Sequence, residues 1–199
     1  MKIRKISNLK KILYFGVVLL VVGCSSDNRP LYRNLPFEFA MHYNEGWEKK
    51  ENYGTAIVVF LSPVEGKLDA FRENLTVSVD DVTSDISLND YSDAVVKQIQ
   101  MIDGLPDVYA NIIESKNIVH RWKPGYQIVY TLTKYGFPEE YVERGLLPAV
   151  DKEGQTVQMM MKIFLRNQKA YIITFVAPQE KYDQYIEDAE SMIKTLKIY

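Results

Sequence analysis

The chain has 199 residues, of which 24 are basic and 26 are acidic, so its formal net charge is −2. A slightly acidic chain has no general attraction to phosphate backbones, so we expect no nucleic-acid partner. Its length and its 47% hydrophobic content suit one domain with a full core, and its single cysteine excludes an intrachain disulfide.

The first 24 residues have the layout of an export signal. Five basic residues and no acidic residue occupy positions 1–11, and residues 12–23 form an uncharged, largely apolar run. This run is shorter than the roughly 20 residues that a membrane-spanning helix needs. Cys24, the only cysteine, directly follows Gly23. A cysteine placed there resembles the lipobox of bacterial lipoproteins.

That resemblance implies a signal peptide over residues 1–23, with cleavage between Gly23 and Cys24. Lipoprotein-processing enzymes would attach diacylglycerol to the Cys24 thiol and a fatty acyl chain to the new amino terminus. More than one acyl chain is needed for stable anchoring. We therefore expect a lipid-anchored extracytoplasmic protein, on the cell membrane or the outer membrane, with these covalent lipids and no other cofactor. The alternative is an uncleaved N-terminal anchor with a chance cysteine.

Cleavage would leave a more acidic protein. The predicted signal carries five basic residues and no acidic ones, so the remainder has a net charge of −7. The lipid, rather than charge, is then expected to supply the membrane contact. Residues 24–35 are predicted to form the lipidated cysteine and a polar tether that Pro30 interrupts. Residues 36–199 are predicted to form a single domain.

Hydrophobic alternation predicts strands in the first half of this domain. Phe37, Phe39 and Met41 alternate with other residues, and Trp47 opens a short second strand. Residues 56–61 are a continuous apolar run, which predicts a strand covered on both faces. Residues 75–79 alternate again and predict a fourth strand.

Two helices and further strands complete the predicted order. Ser87, with Asp90 three residues later, predicts the start of a helix that runs towards Gly104. Strands follow over 111–119 and 126–132, then a hairpin of 157–165 with 170–176 around Asn167, and a last helix from Tyr182 to Leu196. Consecutive strands joined by turns predict an antiparallel sheet, so the fold class is α+β.

Five short motifs follow one another in an order that resembles PsbP-like domains: Glu45-Gly46-Trp47, residues 60–63, residues 71–77, residues 87–91 and residues 192–198. The resemblance covers roughly residues 36–199 and points to the superfamily that includes PsbP, Mog1 and DcrB-type lipoproteins. It implies an antiparallel sheet sandwiched by helices. It also implies a binding or assembly role, for which this family is known, and it offers no shared catalytic motif to carry over.

Catalytic and metal-binding patterns are missing from the sequence. The two histidines, His42 and His120, lack the spacing of metal ligands, so we expect surface or structural roles and no metal. No serine lies in a Gly-x-Ser-x-Gly elbow. Adjacent carboxylates such as Asp80 and Asp81 would point to opposite faces of a strand. We therefore expect a protein that is not an enzyme.

Two features are candidates for partner binding. Arg72 and Asn74 belong to a polar triplet ahead of a strand, where the alternative role is to satisfy backbone groups. Residues 134–154 form a long connection with aromatic residues at Tyr135, Phe137 and Tyr141. Long connections in compact domains are usually functional or disordered, and this one is too aromatic for disorder. It would be either a lid over the sheet edge or a binding flap.

Together these features predict a lipid-anchored, extracytoplasmic, non-enzymatic module for binding or assembly that contacts another envelope protein. One alternative is a small-ligand-binding lipoprotein with a pocket under the 134–154 flap. Another is a hydrolase whose carboxylates converge only in the folded chain.

Overall fold

The computed structural model describes residues 27–66, 71–102, 108–121, 123–134 and 154–199. The predictions for Gly23, Cys24, Tyr135, Phe137 and Tyr141 lie outside these residues. Within the described ranges, no helix is long and apolar enough to cross a membrane.

The described part of the chain forms ten strands and two α-helices. In chain order they are β1 Leu31–Asn34, β2 Phe39–His42, β3 Glu48–Tyr53, β4 Ala56–Leu61, β5 Asn74–Asp81, α1 Leu88–Ile102, β6 Val108–His120, β7 Lys123–Lys134, β8 Gln155–Arg166, β9 Lys169–Pro178, α2 Tyr182–Ile193 and β10 Lys197–Ile198. A short 3-10 helix, Gln179–Lys181, leads into α2.

The strands form two antiparallel sheets. The larger sheet has the order β3-β4-β5-β9-β8-β7-β6, and the smaller one the order β1-β2-β10. Every strand pairing in the described residues is antiparallel. The predicted α+β class with an antiparallel sheet is confirmed.

The two helices cover opposite faces of the larger sheet, because side chains alternate along each strand. On one face, Ile128 of β7 and Ile163 of β8 pack with Ile99 of α1. On the other face, Met160 and Phe164 of β8 belong to the core that α2 and the smaller sheet cover. The predicted arrangement of a sheet between helices is therefore present.

The folded domain includes residues before the predicted boundary at residue 36. Strand β1 lies within the predicted tether, and its Tyr32 is buried in the main core. Before it, Arg29 donates from Nη1 to Asn44 Oδ1 at 2.9 Å and to Ser191 Oγ at 3.0 Å. The prediction of a polar tether through residue 35 is wrong for residues 31–34, since a buried tyrosine makes that stretch part of the fold.

Turn chemistry explains where several elements start. Ser87 Oγ accepts a hydrogen bond from Asp90 N at 3.1 Å, which confirms the predicted cap of α1. Asn167 and Gln168 both have positive φ, 50° and 59°, as a tight two-residue hairpin requires. Phe37 was expected to start a strand, but Glu38 has a φ of 52° and β2 begins only at Phe39.

Gly125 of β7 lies against an aromatic ring in the neighbouring strand. A Cβ atom at this position would lie 2.4 Å from Cε1 of Phe164 and 3.1 Å from the carbonyl oxygen of Ile163. Phe164 is itself 2% exposed, so its ring has little room to move. The absence of a side chain at residue 125 is therefore a packing requirement.

We predict that Gly125→Ala lowers the free energy of unfolding by about 1 to 3 kcal/mol, the usual cost of overpacking a filled core. Gly66→Ala is the matched control, because a Cβ there would meet no atom within 4 Å. Thermal and denaturant unfolding of the two variants would measure the difference. Equal stabilities for both variants would contradict the prediction.

Candidate functional site

Arg72 and Asn74 make internal contacts that join strands. Arg72 donates from Nε to Ser62 O at 2.6 Å and from Nη2 to Leu61 O at 3.2 Å, and it pairs with Glu48. Asn74 is buried and donates from Nδ2 to Arg72 O at 3.2 Å. The structure thus places both candidate residues at the joint between β3, β4 and β5, where they satisfy backbone carbonyls.

Between them lies Glu73, a fully buried carboxylate. Ser62 Oγ donates to its Oε2 at 2.7 Å, while its Oε1 has no hydrogen-bond partner among the described residues. Lys181 Nζ is 3.8 Å from Oε1 but only 2.6 Å from Glu65 Oε2. Burial raises the pKa of Glu73, because removal from water disfavours its charged form.

A second group of side chains surrounds a cavity of about 150 Å³ beside β10. Its apolar wall consists of Phe164, Leu196 and Ile198, and its basic rim of His120, Arg121, Lys123 and Lys197. We call this cavity the basic pocket. It lies where the turn between β6 and β7 meets the segment that follows α2.

Three side chains of that turn hold the pocket together. His120 Nε2 lies 3.1 Å from Leu196 O, which favours the tautomer with its proton on Nε2. Arg121, whose φ is 47°, donates from Nε to Lys194 O at 3.0 Å. Lys123 donates from Nζ to Ile198 O at 2.6 Å. The basic rim is therefore attached to the backbone of the opposite wall.

Positive charge is in excess around the basic pocket. Burial lowers the pKa of Lys123, and the nearby charge of Arg166 lowers it further. Burial also lowers the pKa of His120, and the charges of Arg121 and Lys162 act in the same direction. An anion at this pocket would offset the positive charges of Arg121 and Lys123, which line it.

Sequence reasoning did not identify the basic pocket. Its only signal was a density of basic residues in two short stretches, 120–123 and 194–197. Nothing in the linear sequence shows that these stretches meet. His120 was expected to have a surface or structural role. It binds a backbone carbonyl, as does His42, whose Nδ1 lies 2.8 Å from Arg29 O.

Two further surfaces are available in the described residues. An open cavity of about 530 Å³ lies between residues 154–156 and 178–180. The edge strand β6 exposes Tyr109 and Ile113, but a bulge interrupts its pairing between Ile112 and Glu114. Bulges of this kind hinder the addition of another strand at an edge.

The buried carboxylate leads to a prediction about pH. Because the folded-state pKa of Glu73 is raised, the folded chain holds its proton more tightly than the unfolded chain does, so stability falls as pH rises through the folded-state pKa. Glu73→Gln replaces the charged group by a neutral one. We predict a higher melting temperature than wild type at pH 7.5, with the difference shrinking as pH falls towards 4.

Glu187→Gln on the exposed side of α2 is the matched control. It should shift the melting temperature little at either pH. A Glu73→Gln variant that is less stable than wild type at pH 7.5 would show that the ion pair with Lys181 outweighs the cost of burial.

The comparisons with known proteins agree with this architecture. The chain is similar in structure to the cyanobacterial PsbP protein CyanoP from Synechocystis sp. PCC 6803, with a TM-score of 0.61, 16% identity and coverage of 85% of this chain and 92% of that one. It is also similar to the Ran-binding protein Mog1p of Saccharomyces cerevisiae, with a TM-score of 0.50, 10% identity and coverage of 87% and 96%. At these identities the likeness shows a shared fold.

A structure from Bacteroides thetaiotaomicron VPI-5482 is also similar, with a TM-score of 0.51 and 13% identity; the match covers 86% of this chain and 48% of that one. A comparison with curated proteins gave no match. The PsbP family model matches residues 32–198, from the first residues of β1 to β10. This chain belongs to the PsbP family.

Proposed function

We propose that this protein is a non-enzymatic binding and assembly module, held at the membrane by lipid on Cys24, that docks another envelope protein through the basic pocket. The observation that carries the proposal is the pocket itself, an apolar cavity with a basic rim. Concave apolar sites with a few placed polar groups are the usual form of a recognition site.

The size of the pocket favours a protein side chain over a free metabolite. Sites for drug-sized ligands usually measure about 300 to 1,000 Å³, whereas an apolar cavity of about 150 Å³ accommodates benzene. The basic pocket, at about 150 Å³, is of this second size. Protein interfaces commonly gain most of their energy from one or a few such buried anchors.

The carboxylates near α2 support binding rather than hydrolysis. Glu65 and Glu73 both approach Lys181, but Glu73 is 0% exposed and cannot touch a substrate. Among the described residues, no group of three or more His, Cys, Asp and Glu side chains is arranged to hold a metal ion. Through Lys181, the two acidic groups form a structural contact between the β4–β5 connection and the 3-10 helix that leads into α2.

The short distance between Cys24 and the folded domain supports a role beside the membrane. Arg29 is hydrogen-bonded to Ser191 of α2, so only five Cα-to-Cα steps separate the predicted lipidated residue, Cys24, from a fixed point of the fold. A fully extended chain of that length spans at most about 18 Å. A lipid on Cys24 would hold the domain close to the bilayer and raise its effective concentration towards a partner there.

The open cavity between residues 154–156 and 178–180 supports a second candidate function, a small-ligand-binding lipoprotein. Its volume of about 530 Å³ suits a small molecule. Native mass spectrometry of the purified chain would detect a retained ligand, and its displacement by a Thr156→Trp variant would assign the ligand to this cavity.

Site-specific photo-crosslinking in cells tests the role of the basic pocket. We expect a photoreactive amino acid at Lys197, which is exposed on the rim, to capture an envelope protein. The control position is Lys97, which is exposed on α1 and therefore lies across the sheet from α2. Capture of the same proteins at both positions, or of none at Lys197, would count against the pocket as the docking site.

The lipid anchor leads to a separate prediction. Cys24→Ser removes the only thiol of the chain, so we expect the variant to lose labelling by a radioactive fatty acid. The unprocessed precursor should accumulate, and the mature membrane-bound protein should decrease. Ser25→Ala serves as the control and should be labelled normally. Unchanged labelling of the Cys24→Ser variant would refute the lipidation.

A further inference from the structure

We infer that the basic pocket recognises an acidic segment of a partner protein, which inserts one aromatic or branched apolar side chain against Phe164, Leu196 and Ile198. This inference rests on the proposed function, because it names the chemistry of the partner at the same site.

The apolar wall sets the size and type of the anchoring group. Phe164 and Leu196 are 2% and 1% exposed, so both side chains are held firmly by the core around them. The cavity that they line with Ile198 measures about 150 Å³. A rigid cavity of that volume accepts a single ring or branched side chain and gains free energy by removing apolar surface from water.

The rim sets the charge of the flanking groups. Arg121 uses one of its five N–H donors for Lys194 O, and Lys123 uses one of its three for Ile198 O. Lys197 is exposed beside them. The remaining donors can bind carboxylates next to the anchor, and a basic segment would be repelled.

The nearby acidic group does not neutralise this rim. Glu190 is the carboxylate whose charge reaches His120, and its two oxygens are 2.7 and 2.8 Å from Lys162 Nζ. Both oxygens of Glu190 are thus engaged by the buried Lys162, although the Glu190 side chain itself is 31% exposed. The positive charge of Arg121, Lys123 and Lys197, which line the pocket, therefore remains for a ligand.

A protein segment fits these observations better than a membrane surface does. An anionic bilayer presents its negative charges at the surface, while its apolar acyl chains lie beneath the headgroups and not beside the charges. An acidic segment with one apolar anchor supplies both. Charge complementarity of this kind speeds association and selects the partner, while the anchor supplies much of the affinity.

Peptide binding to the full chain tests the inference. The lipidated protein would be reconstituted in phosphatidylcholine nanodiscs and titrated into a fluorescent peptide with the sequence Glu-Asp-Phe-Asp-Glu. We expect saturable binding that weakens as salt is added. Replacing the peptide's Phe by Ala, or its acidic residues by Lys, should weaken binding by about tenfold or more.

Matched variants locate the binding site. Arg121→Glu and Lys197→Glu should each weaken binding of the acidic peptide several-fold, whereas Lys97→Glu, exposed on α1, should leave it unchanged. Ile198→Phe should fill the cavity and abolish the advantage of Phe over Ala in the peptide. Circular dichroism would verify that each variant folds.

Three results would overturn the inference. Equal binding of the Phe and Ala peptides would show attraction by charge alone. Binding of phosphatidylglycerol vesicles through the rim without any binding of the peptide would identify a membrane surface. An equal loss of peptide affinity in the Lys97→Glu and Lys197→Glu variants would show that the peptide binds outside the basic pocket. If a crosslinker at Lys197 still captured an envelope protein in cells, the proposed function would stand, but the partner would not be an acidic segment with an apolar anchor.

Discussion

The antiparallel pairing of β5 with β9 is the contact on which the rest of the structure depends. It runs over eight residue pairs, from Asn74 opposite Val176 to Asp81 opposite Lys169. It joins the β3–β4–β5 unit to the β6–β9 unit, although about 90 residues of chain separate the two strands. Without it the larger sheet would be two separate sheets, and α2 would lack the full surface that it covers.

The basic pocket forms where the chain that follows β9 returns to the larger sheet. Strand β9 leads into α2, and the segment after α2 returns to pair β10 with Phe39 and Ala40 of β2. The smaller sheet therefore lies against the larger one near Phe164. The turn between β6 and β7 reaches this junction and binds three backbone carbonyls there. The cavity exists because polar side chains of a turn bridge the junction, where apolar packing would have closed it.

Two buried ionisable side chains differ in how well their hydrogen-bonding and charge requirements are met. Lys162 lies in the sheet with both oxygens of Glu190 within 2.8 Å, so its ammonium is well paired. Glu73 has one satisfied oxygen and a distant ammonium, and its pKa is raised by burial. A buried carboxylate whose hydrogen bonds are incomplete lowers the stability of the fold. Glu73 lies between Arg72 and Asn74, so this destabilising group lies where three strands meet.

Local patterns predicted most of the secondary structure. The apolar run 56–61 coincides with β4, and Ser87 with Asp90 marks the start of α1. Period-two and period-3.6 hydrophobicity are properties of adjacent residues, so a sequence shows them directly. Tyr32 was missed because Leu31 and Tyr32 form too short an apolar stretch to show a periodicity, and only the packing of Tyr32 in the core shows that β1 belongs to the fold.

The sequence by itself determined the α+β class, the order of all elements except β1 and β10, and the family resemblance, because these depend on short-range patterns and on motifs in register. It also carries the arrangement of Gly23 and Cys24 on which the predicted anchor rests. The tertiary structure alone decided that Glu73 is buried and that residues 120–123 meet residues 194–198. Those contacts link residues about 75 positions apart, and no local pattern records which distant strands will pair.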